Sequence, residues 1–423
     1  MRMLRDRNRA LGVVAAVLLM GLLPACNGTV GEPEGAGLGG PSDDGGTPTG
    51  GGQPDGGPGE PDAGRTPGRD AGSPPRDAGT PPDGGTAPPP DGGTVVPLHA
   101  SGNKLMDSAG NVVQLRGVNR AGTEFMCVSG DAIFDGPSDD ASLEAIRTWG
   151  ANAIRIPFNE DCWLGINGVA SEFAGANYQA ALGDFVTRAA AAGLYPILEL
   201  HYTAPGTTLA GGGTGQEPMP DQDHSVAFWT SMASYFKNNG EVIFELFNEP
   251  FPDNNQDTDA AWTCWLSGGT CSGVSYPVAG MQELVSAIRT AGAGNLLLLG
   301  GVTYSNSLSQ WNTHVPTDPS NNLAAAWHVY DFNTCNSTTC FNSNVGPVVA
   351  DHPVIASEIG ESDCAGGFIT TVMGWLDGKG SSYLAYTWNT DFDCGSGPGL
   401  ITNYNGTPTQ TYGLVYETHL QSF

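Results

Sequence analysis

No Phe, Trp or Tyr precedes Phe125 in this 423-residue chain, so its first quarter cannot build an ordinary core. Basic residues are scarce too. Lys+Arg number 16 against 44 Asp+Glu, a formal net charge of −28. That balance excludes nucleic acid as the default partner, because phosphate binding needs a basic surface. It also argues against electrostatic docking on anionic lipid. Hydrophobic residues reach only 39%, below the roughly 45–50% of a globular chain. The shortfall is concentrated at the start, so the remainder is correspondingly richer.

What the first quarter does hold is export chemistry. Arg2, Arg5, Arg7 and Arg9 precede the apolar run Leu11–Leu23. Its 13 residues fall short of the about 20 that span a bilayer and fit a signal-peptide core. The run ends in Leu23-Pro24-Ala25-Cys26. This resembles a bacterial lipobox, in which Cys26 is lipidated and becomes the mature N-terminus. Pro24 is not the commonest residue there, so cleavage at a nearby small residue is the alternative. Residues 1–26 are read as this signal.

Residues 27–95 are read as a tether. Gly and Pro supply 36 of the 67 residues from Gly28 to Thr94, and Asp-Ala-Gly or Asp-Gly-Gly recurs at Asp62, Asp70, Asp77, Asp83 and Asp91. Such a stretch has too little apolar surface to offset its ordering entropy and is expected to stay disordered. Each repeat offers one carboxylate where calcium takes about 6–8 oxygens, so a calcium repeat is the weaker reading.

Residues 96–423 read as one folded domain with 32 Asp+Glu and 9 Lys+Arg. This acidic surface suits a neutral substrate. The eight cysteines beyond Cys26 are an even set in an exported chain, which implies disulfides. Cys264–Cys271 and Cys335–Cys340 are the local pairs. Cys127–Cys162 and Cys364–Cys394 are the assignment for the rest, one of the connectivities that four cysteines allow. A metal reading is poor, since the Cys spacings form no paired Cys-x-x-Cys motifs and no His-Glu-x-x-His helix occurs.

Short apolar runs recur in this domain: Val113–Val118, Ala153–Phe158, Tyr195–His201, Val242–Phe247, Leu296–Leu299, Ala324–Tyr330, Val354–Ser357 and Tyr383–Trp388. Continuous apolar strands imply burial on both faces, as in parallel sheets covered by helices. Amphipathic stretches lie between them, including Ser142–Trp149, Tyr178–Ala192, Val226–Asn238, Met281–Ala291 and Phe368–Gly378. Eight strand–helix units predict an α/β fold, a closed (β/α)8 TIM barrel. Gly102-Asn103 and Gly110-Asn111 flank a short stretch ahead of the first strand. It reads as an N-terminal β-hairpin plugging the barrel floor.

In such barrels the chemistry sits where strands end. The strand ends offer Arg116 and Asn119, Arg155, His201 and Tyr202, Asn248 and Glu249, His328 and Tyr330, Glu358, and Trp388. Each alone has a structural explanation; their recurrence at one rim does not. Glu249 in Asn248-Glu249-Pro250 closes the fourth strand and Glu358 closes the seventh. Two carboxylates flanking a small gap are what glycoside hydrolysis needs, one protonated and one ionised. At about 5.5 Å and an effective dielectric near 20, their repulsion is about 3 kcal/mol. That is about two pKa units on whichever ionises second, and burial pushes the same way. A guanidinium beside one of them selects it for the charged state; Arg155 is placed beside Glu358.

Leu115-Arg116-Gly117-Val118-Asn119, the Arg155 strand, His201, Asn248-Glu249-Pro250, His328-Val329-Tyr330, Glu358 and Trp388 together resemble glycoside hydrolase family five, over about Leu98 to Phe423. The resemblance implies a retaining, endo-acting β-glycanase of cellulase type, with β-mannanase or another β-glucanase as the alternative. It implies Glu358 as nucleophile and Glu249 as acid/base. Asn248 would bond the sugar 2-hydroxyl and Arg155 would hold the nucleophile ionised. His201, His328 and Tyr330 would line the cleaving subsite, and Trp388 would be its stacking floor. Glu245 is read as structural. An insertion with Trp262 and Trp265, and a loop at Thr203–Asp223, are placed at the rim, where they could add sugar subsites or narrow the cleft.

The expected partner is a β-linked polysaccharide or oligosaccharide. The chemistry requires no metal and no organic cofactor, and the chain is expected to act as a monomer that meets a membrane only through its lipid. The expected location is outside the cytoplasm, as an outer-membrane or cell-surface lipoprotein or as an extracellular protein. A non-enzyme rival is a glycan-binding surface lipoprotein. A metal-dependent barrel hydrolase would want a His-x-His strand, which is absent.

Overall fold

The computed structural model describes residues 95–209, 215–363, 365–392 and 397–423. The expected signal segment, the tether, Cys26 and the Cys364–Cys394 pair lie outside the described residues, Val95 excepted.

Eight parallel strands close into a barrel in chain order. They are Arg116–Asn119, Ala153–Asn159, Tyr195–Tyr202, Ile243–Glu245, Leu297–Gly300, Leu323–Tyr330, Val354–Gly360 and Ser382–Ala385. All eight expected apolar runs appear, with ends moved by a few residues. The predicted helices appear as Asp140–Thr148, Ala176–Ala191, Ser225–Phe236, Met281–Thr290 and Gly367–Lys379. The first of them starts where Asp139 accepts a hydrogen bond from the Ser142 amide, capping an otherwise orphaned donor.

Strand alternation sorts the side chains into two cores. One face of each strand packs outward on the helices: Ile154, Ile156 and Phe158 on the second strand, Leu198 and Leu200 on the third, Ala325, Trp327 and Val329 on the sixth. The other face fills the barrel. Ala153, Ile197, Ile243, Leu298, Ala324, Ala326, Ile355 and Leu384 form an apolar plug at its lower end. The expected hairpin, Leu98–Ser101 paired with Lys104–Asp107, seals the plug from below by adding Leu98 and Leu105 to it. A two-residue strand, Val112–Val113, extends the hairpin to three strands.

Above the plug the same inward positions turn polar. Two residues beyond Ala153, Ile197, Ile243, Ala326 and Ile355 come Arg155, Glu199, Glu245, His328 and Ser357, all fully buried or nearly so. The barrel therefore has an apolar floor and an ionic middle.

The first three expected disulfides are present: Cys127–Cys162, Cys264–Cys271 and Cys335–Cys340. All six cysteines sit in segments that follow barrel strands, on the side of the mouth.

Candidate active site

Arg155 is the centre of the ionic layer. Its Nε donates to Glu245 at 2.6 Å, one Nη to Glu358 at 2.7 Å and to Asn119 at 2.9 Å, and the other Nη to Asn248 at 2.8 Å. Glu199 lies 3.6 Å from the same guanidinium. One side chain thus binds groups from the first, fourth and seventh strands or their ends. The planar fork of guanidinium donors is what allows it. The expected placement of Arg155 beside Glu358 is found.

Glu358 reaches the mouth through an irregularity. Simple alternation from Ile355 and Ser357 would turn it outward. The ladder to the sixth strand shifts register between Ile355 and Glu358, a bulge that re-aims the carboxylate inward. There Tyr330 donates its hydroxyl to Glu358 Oε2 at 2.5 Å. Burial alone would push the Glu358 carboxyl up; the His328 and Arg155 charges and the Tyr330 hydroxyl outweigh it and hold it below the usual value.

Glu249 faces it. His328 Nδ1 lies 2.9 Å from Glu249 Oε1 and 3.7 Å from Glu358 Oε2. The two carboxylates and the imidazole all come within 4.8 Å of one another. His328 Nε2 contacts Ser357 Oγ at 3.1 Å, and that hydroxyl donates onward to Glu245 at 2.7 Å. Both ring nitrogens therefore act as donors, which makes His328 an imidazolium. Its pKa rises to about 10: burial opposes the charge, and Glu358, Glu245 and Glu249 more than restore it.

Glu249 Oε2 accepts from Gln216 Nε2 at 2.9 Å. The rim loop after the third strand thus touches the mouth, as expected of it. The Asn248 amide oxygen is occupied by Arg155, which leaves its NH2 group as the end to offer a ligand. His201 sits beside the mouth with Nδ1 2.6 Å from Glu199. Burial would lower its pKa, but Glu199 and Glu124 raise it to about 9.

Three expectations need correction. Trp388 is 1% exposed and packs edge-on against Trp149, 4.8 Å between centroids, in the layer between barrel and helices. A ring with no open face cannot stack on a sugar. The eighth strand stops at Ala385, so alternation does not carry to Trp388. The half-buried aromatic at that strand end is Tyr386, two residues beyond the inward Leu384, with Glu124 and Glu358 raising its hydroxyl pKa after burial. Arg116 opens its strand instead of closing it. It lies at the opposite end of the barrel, bound to Asp377 at 3.0 Å and over the Phe423 ring. Trp262 and Trp265 are fully buried, bonded to Asp257 and the Gly300 carbonyl, and line no cleft.

Two acids escaped the sequence reading. Glu199 lay inside an apolar run, two residues from His201, so an acid at inward parity was its signal. Glu124 follows the first strand, accepts from the Gly122 amide at 2.6 Å, and is pushed up to about 7 by burial, with His201 opposing. Glu245 is buried and drawn down to about 2, since Arg155 and His328 outweigh its burial. It is a support, as read.

An eight-stranded parallel barrel whose mouth holds two opposed carboxylates around a buried Arg defines a glycosidase-type site. The model of the cellulase family, glycosyl hydrolase family 5, matches residues 106–392, and the chain belongs to that family. The chain is 30% identical over 206 residues to a manganese dependent endoglucanase of Phanerodontia chrysosporium, covering 47% of this chain and 46% of that one. It is 22% identical over 323 residues to a mannan endo-1,4-beta-mannosidase of Streptomyces lividans, covering 73% and 70%. The chain thus spans about half the length of one of these relatives and 70% of the other. A beta-glucanase from Saccharophagus degradans, solved with cellotetraose, shares the fold with a TM-score of 0.62 and 19% identity over 78% of this chain and 95% of that one.

Proposed function

We propose that this glycoside hydrolase cuts β-1,4-glucan internally by double displacement. Glu358 attacks the anomeric carbon as the C–O bond breaks, and Glu249 gives its proton to the departing oxygen. The aglycone leaves and a glycosyl ester on Glu358 remains. Glu249, now ionised, takes a proton from water, whose oxygen displaces Glu358 and restores both groups. Since His328 Nδ1 occupies Glu249 Oε1, the acid proton belongs on Oε2, where Gln216 now donates. The leaving oxygen takes the place of Gln216 in the complex.

The observation that carries this reading is that one carboxylate oxygen of Glu249 and one of Glu358 lie within 4.8 Å of each other across the mouth. Retaining enzymes hold their carboxyl groups about 5–5.5 Å apart and inverting ones about 6.5–9.5 Å, so a close pair supports double displacement. Arg155, Tyr330 and His328 support the ionised state of Glu358, and the Asn248 NH2 group is placed to bond the sugar 2-hydroxyl. Product analysis on soluble β-glucans and mannans, with the anomer followed by NMR, tests linkage and stereochemistry together. Glu358→Gln abolishes hydrolysis while glycan binding persists. Undiminished hydrolysis in that variant overturns the assignment, and first-formed inverted product overturns double displacement. Mannan is the second reading, supported by the relative named as a mannosidase. Residues 1–26 as a lipoprotein signal, Cys26 as the lipidated residue and residues 27–95 as a tether belong to the same proposal: an exported, surface-held enzyme acting as a monomer on polymer outside the cell.

A further inference from the structure

A second group of ionisable side chains lies away from the two catalytic carboxylates. Glu160 opens the helix Glu160–Leu164 after the second strand, and Asp221 and His224 end the rim loop after the third. Glu160 and Asp221 have no exposure at all, and one ligand atom of each comes within 4.8 Å of the other and of a His224 ring nitrogen. Two ionised carboxylates are not buried side by side without a compensating charge. Among the described residues no Lys or Arg is paired with either; His224 alone stands near, 3.6 Å from Asp221.

The hydrogen bonding is incomplete in one place. Glu160 Oε2 accepts from the Ala204 amide at 2.7 Å, while Oε1, equally buried, has no donor. Asp221 accepts from the His224 amide at 2.7 Å and has an oxygen within 4.8 Å of one of Glu160. His224 Nδ1 meets the Ala204 carbonyl at 2.8 Å. That bond makes Nδ1, which also lies 3.6 Å from Asp221, a donor, and leaves Nε2 as the nitrogen with a lone pair to offer an ion.

We propose that Glu160, Asp221 and His224 bind one divalent first-row ion, which pins the rim loop. Two carboxylates and an imidazole are a mixed oxygen–nitrogen donor set, suited to manganese- or zinc-like ions more than to calcium, which takes oxygens only. The ion supplies the charge that Glu160 and Asp221 lack and the partner that Glu160 Oε1 lacks. It also joins both ends of the loop to one point, since Ala204 begins the loop and His224 ends it. Gln216, which touches Glu249, lies between them. The ion is structural and takes no part in the bond-breaking steps.

The test uses the full chain, freed of metal with EDTA and dialysed, then titrated with Mn2+ while electron paramagnetic resonance reads the free ion and calorimetry reads Tm. One Mn2+ per chain is expected, with a rise in Tm. Glu160→Gln and the milder, half-buried His224→Gln each weaken binding by about tenfold or more. Glu249→Gln, at the mouth, binds as the parent does. The proposal fails if the parent binds no Mn2+, the result expected if Glu160 and Asp221 merely share a proton. It fails equally if both Glu160→Gln and His224→Gln bind undiminished, or if Glu249→Gln abolishes binding. None of these readouts involves hydrolysis, so a wrong substrate assignment leaves the test intact.

Discussion

At the residue scale, one proton and one guanidinium decide which carboxylate does what. Glu358 is held ionised by His328, Arg155 and Tyr330 against its own burial. In the proposed mechanism Glu358 is the nucleophile and must be ionised, so its titration sets the acid limb of kcat/KM. Tyr330→Phe removes a donor to the charged form. A hydrogen bond to a charged group contributes about 1.5–3 kcal/mol, and one pKa unit is about 1.36 kcal/mol. The acid limb therefore moves to higher pH by about one to two units, read from the pH profile on a soluble glucan. An unmoved limb would mean that Tyr330 does not support the nucleophile. The same scale shows what a linear sequence conceals. Both glutamates were legible because they lie at the ends of buried apolar runs, and Arg155 because it is a charge inside one. The inward aim of Glu358 was not, because it depends on a bulge between the sixth and seventh strands. Glu124 was hidden because its neighbours, His201 and Tyr386, are distant in sequence.

At the scale of elements, the segments that follow the strands are tied down by covalent bonds. Cys127–Cys162 closes 35 residues and Cys335–Cys340 closes 5. In the chain-entropy view these stabilise by about 4 and about 2 kcal/mol. Replacing both cysteines of the longer pair by serine should therefore lower the urea midpoint more than replacing both of the shorter, with equal m-values. The reverse order would point to native-state effects instead of loop entropy. Strands were the most readable elements, since parallel strands buried on both faces must be apolar throughout. Their ends were less readable. Trp388 continues the apolar run of the eighth strand, yet the strand stops at Ala385 and the ring turns to Trp149. Arg116 was misplaced for the mirror reason: its strand begins three residues later than the run suggested.

At the scale of the molecule, the domain carries a net −23 from 32 Asp+Glu and 9 Lys+Arg, a balance compatible with the uncharged glycan proposed as its substrate. The barrel with its sealed floor is complete from Val95 onward within the described residues. Deleting residues 1–94 should leave kcat/KM on soluble glucan unchanged. In the full chain, Cys26→Ser should move the enzyme from the membrane fraction to the medium or periplasm. Lost activity in the first experiment, or an unmoved fraction in the second, would contradict the tether and the anchor respectively. Composition sets the first quarter of the chain apart because a core needs the apolar and aromatic residues that this quarter lacks.

Arg155 gives the barrel an unusual economy. The contact that fixes Glu358 is also one that laces non-adjacent staves of the barrel together through its centre. Loosening it to alter reactivity would slacken the container as well. Variation is better tolerated in the loops around the opening, away from the few contacts, such as Gln216 on Glu249, that reach down to the ionic layer.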